Sequence, residues 1–400
     1  MISTIPTAEA ARAPAPSRHR PSAHEIGRYG TAAAGTPTLI VVAALHGNEP
    51  AGMVAARRVL ARLARDEAPL RGRLIALAGN LPALTAGRRF IDRDLNRAWT
   101  SDGIAAAIGA GADGPFETSE DGTLRDLAAD LGAAIAAAPG TVHVIDMHTT
   151  SSRSAPFLLV ADTLANRAFA RAFGLPMVLG LEEQIEGTML SHLGALGCVC
   201  LGVEGGQHDA PVAAENLEDL LWAALAELGM LAAGDAPDLA ASRARLVQAR
   251  GDVPAVLEVR HRHAIAPVDA FQMRPGFVNF QAVRAGDLLA HDRNGPVRAA
   301  ESGRILMPLY QGQGEDGFFM TRAIDPRWLG VSAALRRLRV CRLLPLLPGV
   351  RRHPELPATL VVDTRVARLF PLQVFHLLGY RKLRWVDRRL LVSRREPAGR

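Results

Sequence analysis

The sequence predicts an α/β fold on a mixed, largely parallel sheet, and three observations carry that expectation. Short apolar runs rich in β-branched residues alternate with segments of helical period. The runs lack the apolar–polar alternation of a half-exposed sheet, so cover on both faces is expected. Ionisable residues gather just after the runs, at the carboxyl ends where open α/β sheets bind ligands.

The elements follow in order. Residues 1–22, rich in Ala, Pro, Arg and Ser, read as a flexible leader with no apolar core of signal-peptide length. Thr38–Leu45 (TLIVVAAL) is a buried strand, HGNEP a loop, and AGMVAARRVLARLARD a helix. Arg73–Gly79 is the next strand. NLPALTAGRRFIDRDLNRAW is too polar for a core strand and reads as an ordered loop region. A helix over Gly122–Ala138 precedes the strand Thr141–His148, which ends in polar residues. Phe157–Asp162 and Gly197–Glu204 are two more strands, and Ala213–Ala233 is helical. The texture changes near Gly251. The short alternating runs VLEVR, FVNFQAV, GDLLAH, GRILMPLY and GFFMTRA predict a small β domain. The expected organisation is a leader at 1–22, a catalytic domain at 23–250, a β domain at 251–327 and a basic segment at 328–400. In that last segment a helix is expected over Val366–Leu378, and a hairpin from RKLRWV and RLLVSRR.

Hydrophobic residues make up 48% and charged residues 22% of the 400, an ordinary globular composition. The net charge of +6 is unevenly placed. Val331–Arg400 holds 16 Lys/Arg against 4 Asp/Glu, which leaves the rest of the chain net negative. The high pI therefore belongs to the tail. A solvated arginine face is the expected reading, and nucleic acid is not the expected partner. Docking of the tail on an acidic partner or a subunit is the alternative, resting on Arg381, Arg384, Arg388 and Arg389. Cys198, Cys200 and Cys341 show no disulfide spacing, which fits a reducing compartment. No window approaches a membrane-spanning length, and the expected location is the cytoplasm. The β domain has no lysine to carry a swinging cofactor, which excludes a carrier role.

The chemistry lies at the strand ends. Amide hydrolysis at neutral pH needs a strong nucleophile and a sink for oxyanion charge, and zinc supplies both. A catalytic zinc takes three protein ligands, often two His and a carboxylate. His46 and Glu49 share a tight loop after a strand, and His148 ends the next candidate strand; one zinc per chain is expected there. Glu204 ends an apolar strand before Gly205 and Gly206, where a carboxylate is costly without a role; general base is the functional reading. Arg88, Arg89 and Arg97 offer bidentate recognition of carboxylates or oxyanions, or are plain surface charge. Asp92, Asp94 and Asp146 are candidates to orient a ligand His through its other nitrogen, or simply to pair with Arg93 or Arg97.

HGNEPAG, RFIDRDLNRAW, DMHTTSS and GVEGG stand in this order between Leu45 and Gly206. The set resembles the succinylglutamate desuccinylase/aspartoacylase family, a branch of the zinc carboxypeptidase superfamily, over roughly residues 37–325. The resemblance implies a carboxypeptidase-like α/β/α sandwich with a smaller β domain narrowing the entrance, and a small N-acyl amino acid as substrate. It implies His46, Glu49 and His148 as zinc ligands and Glu204 as general acid/base. Arg89 would polarise the carbonyl, and Asn96 and Arg97 would hold the substrate α-carboxylate. Tyr310 is the nearest candidate for a tyrosine that reaches the site from the β domain. One departure stands out: EGTMLSHLGALG carries no arginine for a second substrate carboxylate, only His192. A carboxypeptidase acting on short peptides and a non-catalytic metal-binding relative are the alternative functions.

Overall fold

The computed structural model describes residues 22–109, 117–232, 235, 238–356, 358–363, 372–386 and 389–394. The expected leader, apart from Ser22, lies outside the described residues.

An eleven-stranded sheet runs through the molecule. Its first eight strands are β1 (Glu25–Thr31), β2 (Thr38–Ala43), β3 (Gly72–Ala78), β4 (Val142–Thr150), β5 (Phe157–Val160), β6 (Met177–Leu179), β7 (Val199–Gln207) and β8 (Val256–Ala264). Their spatial order is β1-β3-β2-β4-β7-β5-β6-β8. The core trio β2, β4 and β7 is parallel, whereas β1 and β5 run against their neighbours β3 and β7.

Strand alternation explains the cover on both faces. Leu39, Val41 and Ala43 of β2 join one core with α1 (Ala51–Arg65), α7 (Pro211–Glu227) and α8 (Leu239–Arg250). Ile40 and Val42 face the opposite way, toward Ala107, Leu124, Leu127 and Leu193. Those residues lie on α3 (Ser101–Gly109), α4 (Ser119–Ala136) and α6 (Met189–Ala195). The result is an α/β/α sandwich. The remaining helices of this part are α2 (Leu81–Ala86) and α5 (Leu164–Arg171).

The β region grows out of the same sheet. β8 pairs parallel with β6 and antiparallel with β14 (Asp316–Ala323), which leads on to β13 (Gly303–Leu306) and β10 (Ala282–Val283). β9 (Gln272–Met273), β11 (Leu288–Asp292) and β12 (Gly295–Arg298) form a separate three-stranded sheet. The run FVNFQAV keeps only the two residues of β10 as strand. Asn279 there donates to Thr150 and Ser152 instead of to a ladder.

Two expectations need correction. Residues 80–99 are not all loop: Asn80 caps α2 by accepting from the Ala83 amide, and Gly87 ends it in a left-handed conformation. Nor is the tail simply a basic appendage. α9 (Arg327–Arg337), β15 (Val350–Arg352), β16 (Thr359–Asp363), α10 (Leu372–Leu377), β17 (Tyr380–Val386) and β18 (Arg389–Arg394) build a four-stranded antiparallel unit. Its own core includes Leu344, Leu360, Phe375 and Val392. The expected hairpin is β17–β18, while residues 366–371 of the expected helix lie outside the described residues.

Arg381 is 2% exposed and cannot serve a docking surface. Its guanidinium pairs with Asp162, with Glu183 at 3.0 Å and with Glu258 at 3.3 Å. Arg336 of α9 adds a 3.0 Å bond to Asp162. Arg389 is exposed, whereas Arg388 and the side chain of Arg384 lie outside the described residues. Cys198, Cys200 and Cys341 are buried free thiols. Among the described residues no helix is long and apolar enough to cross a membrane.

Candidate metal centre and active site

The site forms where β2, β4 and β7 end. After β2 the chain turns through Ala44, held at φ 52°, and delivers His46 and Glu49 into one loop. Gly47 is obligatory here, because a Cβ would lie 2.0 Å from the Ala83 carbonyl carbon of α2. Side-chain alternation then places Asp146 and His148 of β4 beside Gly202 and Glu204 of β7, with His148 opposite Glu204 in register.

His46, Glu49 and His148 are buried, and one ligand atom from each lies within 4.8 Å of the others. His46 Nδ1 stands 3.0 Å from Glu49 Oε1, and His148 Nδ1 stands 2.9 Å from Glu49 Oε2. The outer ring nitrogens are held by carboxylates. His46 Nε2 is 3.1 Å from Asp94, and His148 Nε2 is 2.9 Å from Asp146. This fixes both rings with Nδ1 turned to the common point, the arrangement that orients a metal-binding imidazole. Two imidazoles and a carboxylate are a zinc-type donor set, so the residues fit such an ion. Asp94 and Asp146 therefore do the orienting, whereas Asp92 accepts from the Ser119 amide at 2.8 Å.

The electrostatics separate two neighbouring carboxylates. Burial pushes Glu49 up, but the charges and hydrogen bonds of His46 and His148 outweigh it and hold it well below the usual range. Burial pushes Glu204 up to about 8, only partly opposed by His148. One Glu204 oxygen, Oε2, meets no hydrogen-bond partner among the described residues. Burial lowers His148, yet Asp146 and Glu49 raise it well above the ordinary histidine value.

The RFIDRD loop is organised by a residue with no motif to betray it. Glu120 of α4 is fully buried and accepts from Asn80 Nδ2 and from the amides of Ile91, Asp92 and Arg93. Asp94 in turn accepts from the Asn96 amide and from Arg89 Nη2 at 2.8 Å. The Arg89 guanidinium also lies 3.5 Å from Glu49.

Arg97 reaches the cavity but already bonds Asp316 of β14 at 2.8 Å. Asn96 Oδ1 accepts from the Met189 amide, which ties the loop to α6. A cavity of about 170 Å³ connects these groups, lined by Arg89, Asn96, Arg97, His148 and Glu204.

Within residues 35–228 the sequence matches the model of the succinylglutamate desuccinylase/aspartoacylase catalytic domain. These residues make up just under half of the chain, and over them it is similar to the succinylglutamate desuccinylase/aspartoacylase family. A succinylglutamate desuccinylase of Burkholderia cenocepacia is 32% identical over 174 residues, 42% of this chain and 48% of that protein. One from Burkholderia lata is 36% identical over 112 residues, 28% of this chain and 30% of that protein. The chain thus spans about half the length, or less, of these curated relatives. Among solved structures, a succinylglutamate desuccinylase from Vibrio cholerae is similar at 19% identity and TM-score 0.53, covering 73% of this chain and 83% of that one. The product-bound ectoine utilization protein EutE (DoeB) from Ruegeria pomeroyi is similar at 21% identity and TM-score 0.52, covering 73% and 86%. These two likenesses carry the fold alone.

Against that family pattern the loop after β13 holds two further findings. Tyr310 does not line the cavity. Its hydroxyl donates to the Arg274 carbonyl at 2.7 Å and accepts from the Phe277 amide, so the cap uses it internally. Gln311 lines the cavity instead, and Gln313 holds the loop that carries Arg89. Gln311 meets Asn48 Nδ2 at 2.8 Å and His208 Nε2 at 3.1 Å, and Gln313 accepts from the Arg89 amide. His208, three residues after Gly205, was missed by sequence reasoning; its position just past β7 was the available signal.

Proposed function

We propose that this chain is a zinc-dependent amidohydrolase that cleaves small N-acyl amino acids. The observation that carries the reading is the buried His46–Glu49–His148 set, with both imidazoles oriented by carboxylates, beside a buried Glu204. Zinc held by that set supplies Lewis acidity and makes water acidic enough to attack at neutral pH.

The chain's own groups do the rest. Glu204 takes the proton of the attacking water and returns it to the leaving amine nitrogen; a carboxyl raised to about 8 suits both directions near neutral pH. Arg89, held by Asp94, presents its guanidinium to the carbonyl oxygen as negative charge develops. Asn96 and Arg97 receive the substrate α-carboxylate, with Arg97 exchanging part of its bond to Asp316. Leu309, Gln311 and Gly314 of the β region line the cavity, whose volume of about 170 Å³ suits small substrates better than polypeptides.

The test is metal content of the purified full-length chain and of His46→Ala, followed by hydrolysis of an N-acyl amino acid panel. About one zinc per chain, lost together with activity in the variant, supports the reading. A folded protein that binds no metal and stays inactive with added zinc refutes it.

A further inference from the structure

We propose that the acyl pocket accepts an uncharged, apolar acyl group and discriminates against dicarboxylic ones, so that aliphatic N-acyl amino acids are the preferred substrates. This rests on the hydrolase reading above and names the substrate class of the same site.

The pocket lies beside Glu204. Gly202 is two residues earlier on the same face of β7, and Leu159 of β5 is its register partner. A Cβ on Gly202 would stand 3.1 Å from Leu159 Cβ and 3.3 Å from a Leu190 methyl. Leu159 and Leu190 thus pack directly against the Gly202 backbone and give this side of the cavity an apolar wall. Leu181, Ile185 and Phe319 continue that apolar lining.

The available positive charge is already committed. Among the described lining residues the guanidinium groups are Arg89 and Arg97. Arg89 pairs with Asp94 and Glu49. Arg97 pairs with Asp316, which Arg262 shares, and lies 3.7 Å from Glu315. One serves the scissile carbonyl and the other an α-carboxylate, which leaves none for a second carboxylate. His192 does not fill the gap, since its ring packs 6.0 Å from Trp99 and is not among the lining residues. Glu182, also lining the cavity, adds like charge. A second substrate carboxylate would be desolvated against leucines without a guanidinium to neutralise it, a costly way to bury a charge. Each buried methylene, in contrast, contributes roughly fourfold in binding.

The test uses the zinc-loaded full-length chain and the N-acetyl, N-butyryl, N-hexanoyl and N-succinyl derivatives of one accepted amino acid. Butyryl and succinyl groups match in chain length and differ in the terminal carboxylate. The expected result is that kcat/KM rises about fifteenfold from acetyl to butyryl, with succinyl at least tenfold below butyryl. A succinyl derivative cleaved as well as the butyryl one overturns this inference and leaves the hydrolase reading standing. Cleavage of no derivative overturns the hydrolase reading itself. Gly202→Val is expected to lower the hexanoyl-to-acetyl ratio at least tenfold. Leu190→Arg is expected to raise the succinyl-to-butyryl ratio. Both ratios unmoved in folded variants would place the acyl group elsewhere.

Discussion

Replacing Arg381 by Ala removes one guanidinium from a closed interior network. Asp162 is fully buried and carries three cations, Arg381, Arg336 and Arg167, while burial alone would push its carboxyl up; together they hold it far below the usual range. Glu183 and Glu258 contact the same Arg381 nitrogen. Breaking a buried pair by deleting one partner typically costs about 3–5 kcal/mol. Here the remaining partners soften the loss. Asp162 keeps Arg336 at 3.0 Å, Glu258 keeps His376 at 2.7 Å, and Glu183 keeps His376 at 3.4 Å. The expected destabilisation is therefore at the lower end, about 3 kcal/mol. Arg389→Ala, at an exposed position of the same hairpin, should change stability by less than about 0.5 kcal/mol.

Urea unfolding of both variants, followed by far-ultraviolet circular dichroism, measures the difference. Arg381→Lys should recover only part of it, because an ammonium cannot span three carboxylates as a planar fork does. Activity should fall too, since Ala161 and Glu182, the chain neighbours of Asp162 and Glu183, line the cavity. Equal, small losses in Arg381→Ala and Arg389→Ala would refute the reasoning. The C-terminal unit would then be a solvated basic face without a structural tie to the catalytic body.

Three further outcomes follow from the same geometry. Glu204→Gln should lower kcat by about 10²–10⁴ with zinc content unchanged, because it removes proton transfer and leaves the ligand set intact; parallel metal analysis and steady-state kinetics check both halves. Arg97→Leu should lower kcat/KM for N-acyl amino acids by about 10- to 100-fold, the worth of a charged hydrogen bond, and keep the fold because Arg262 still pairs with Asp316; comparison of acyl amino acids with the matching acyl amines isolates the carboxylate. Acid should loosen the C-terminal unit. Burial raises Glu258, but its bond from His376 and the nearby arginines bring it down to about 2, below its value of 4.5 when unfolded. As pH falls from about 4.5 toward 2 the unfolded chain takes up that proton first, and about 3 kcal/mol is lost. His376 behaves oppositely: burial lowers it, Glu183 and Glu258 more than compensate, and its contribution is complete below about 6.5 and fades at higher pH. Chemical denaturation across this range should therefore show a maximum between those limits, and a flat profile would exclude the network as a source of stability.

The parts of the site that were legible in the sequence share one physical feature. His46, Glu49, His148 and Glu204 stand at or just past the carboxyl ends of largely apolar strands, where a parallel sheet collects function. Local pattern sufficed because each residue is placed by its own strand. Glu120 and Gln311 were not legible for the opposite reason. Glu120 lies two residues before the helix expected from Gly122, and only the folded RFIDRD loop brings three amides to its carboxylate. Gln311 acts from a cap loop 263 residues away from its partner Asn48. Arg381 misled in the same way. Arginine in a basic hairpin signals solvent, and only the tertiary approach of Asp162, Glu183 and Glu258 makes burial of that charge tolerable.

The division of labour between Glu49 and Glu204 can be argued from their surroundings alone. Both are buried, both lie near His148, and neither lies beside a lysine. Glu49 receives two imidazole contacts and the Thr149 amide, so every route to a proton is taken by a donor that favours the anion. Such a carboxylate is a fixed negative charge, suited to binding a cation. Glu204 keeps one oxygen unpartnered among the described residues and feels Glu49 and Asp146 as like charges, so its proton is held loosely near neutral pH. Such a group can accept a proton and give it back within one turnover. Environments that drive two neighbouring carboxyls apart suit the proposed roles, metal ligand for Glu49 and acid–base group for Glu204. Exchanging them follows as a test of that logic: Glu49→Gln should lose zinc, whereas Glu204→Gln should keep it and lose turnover.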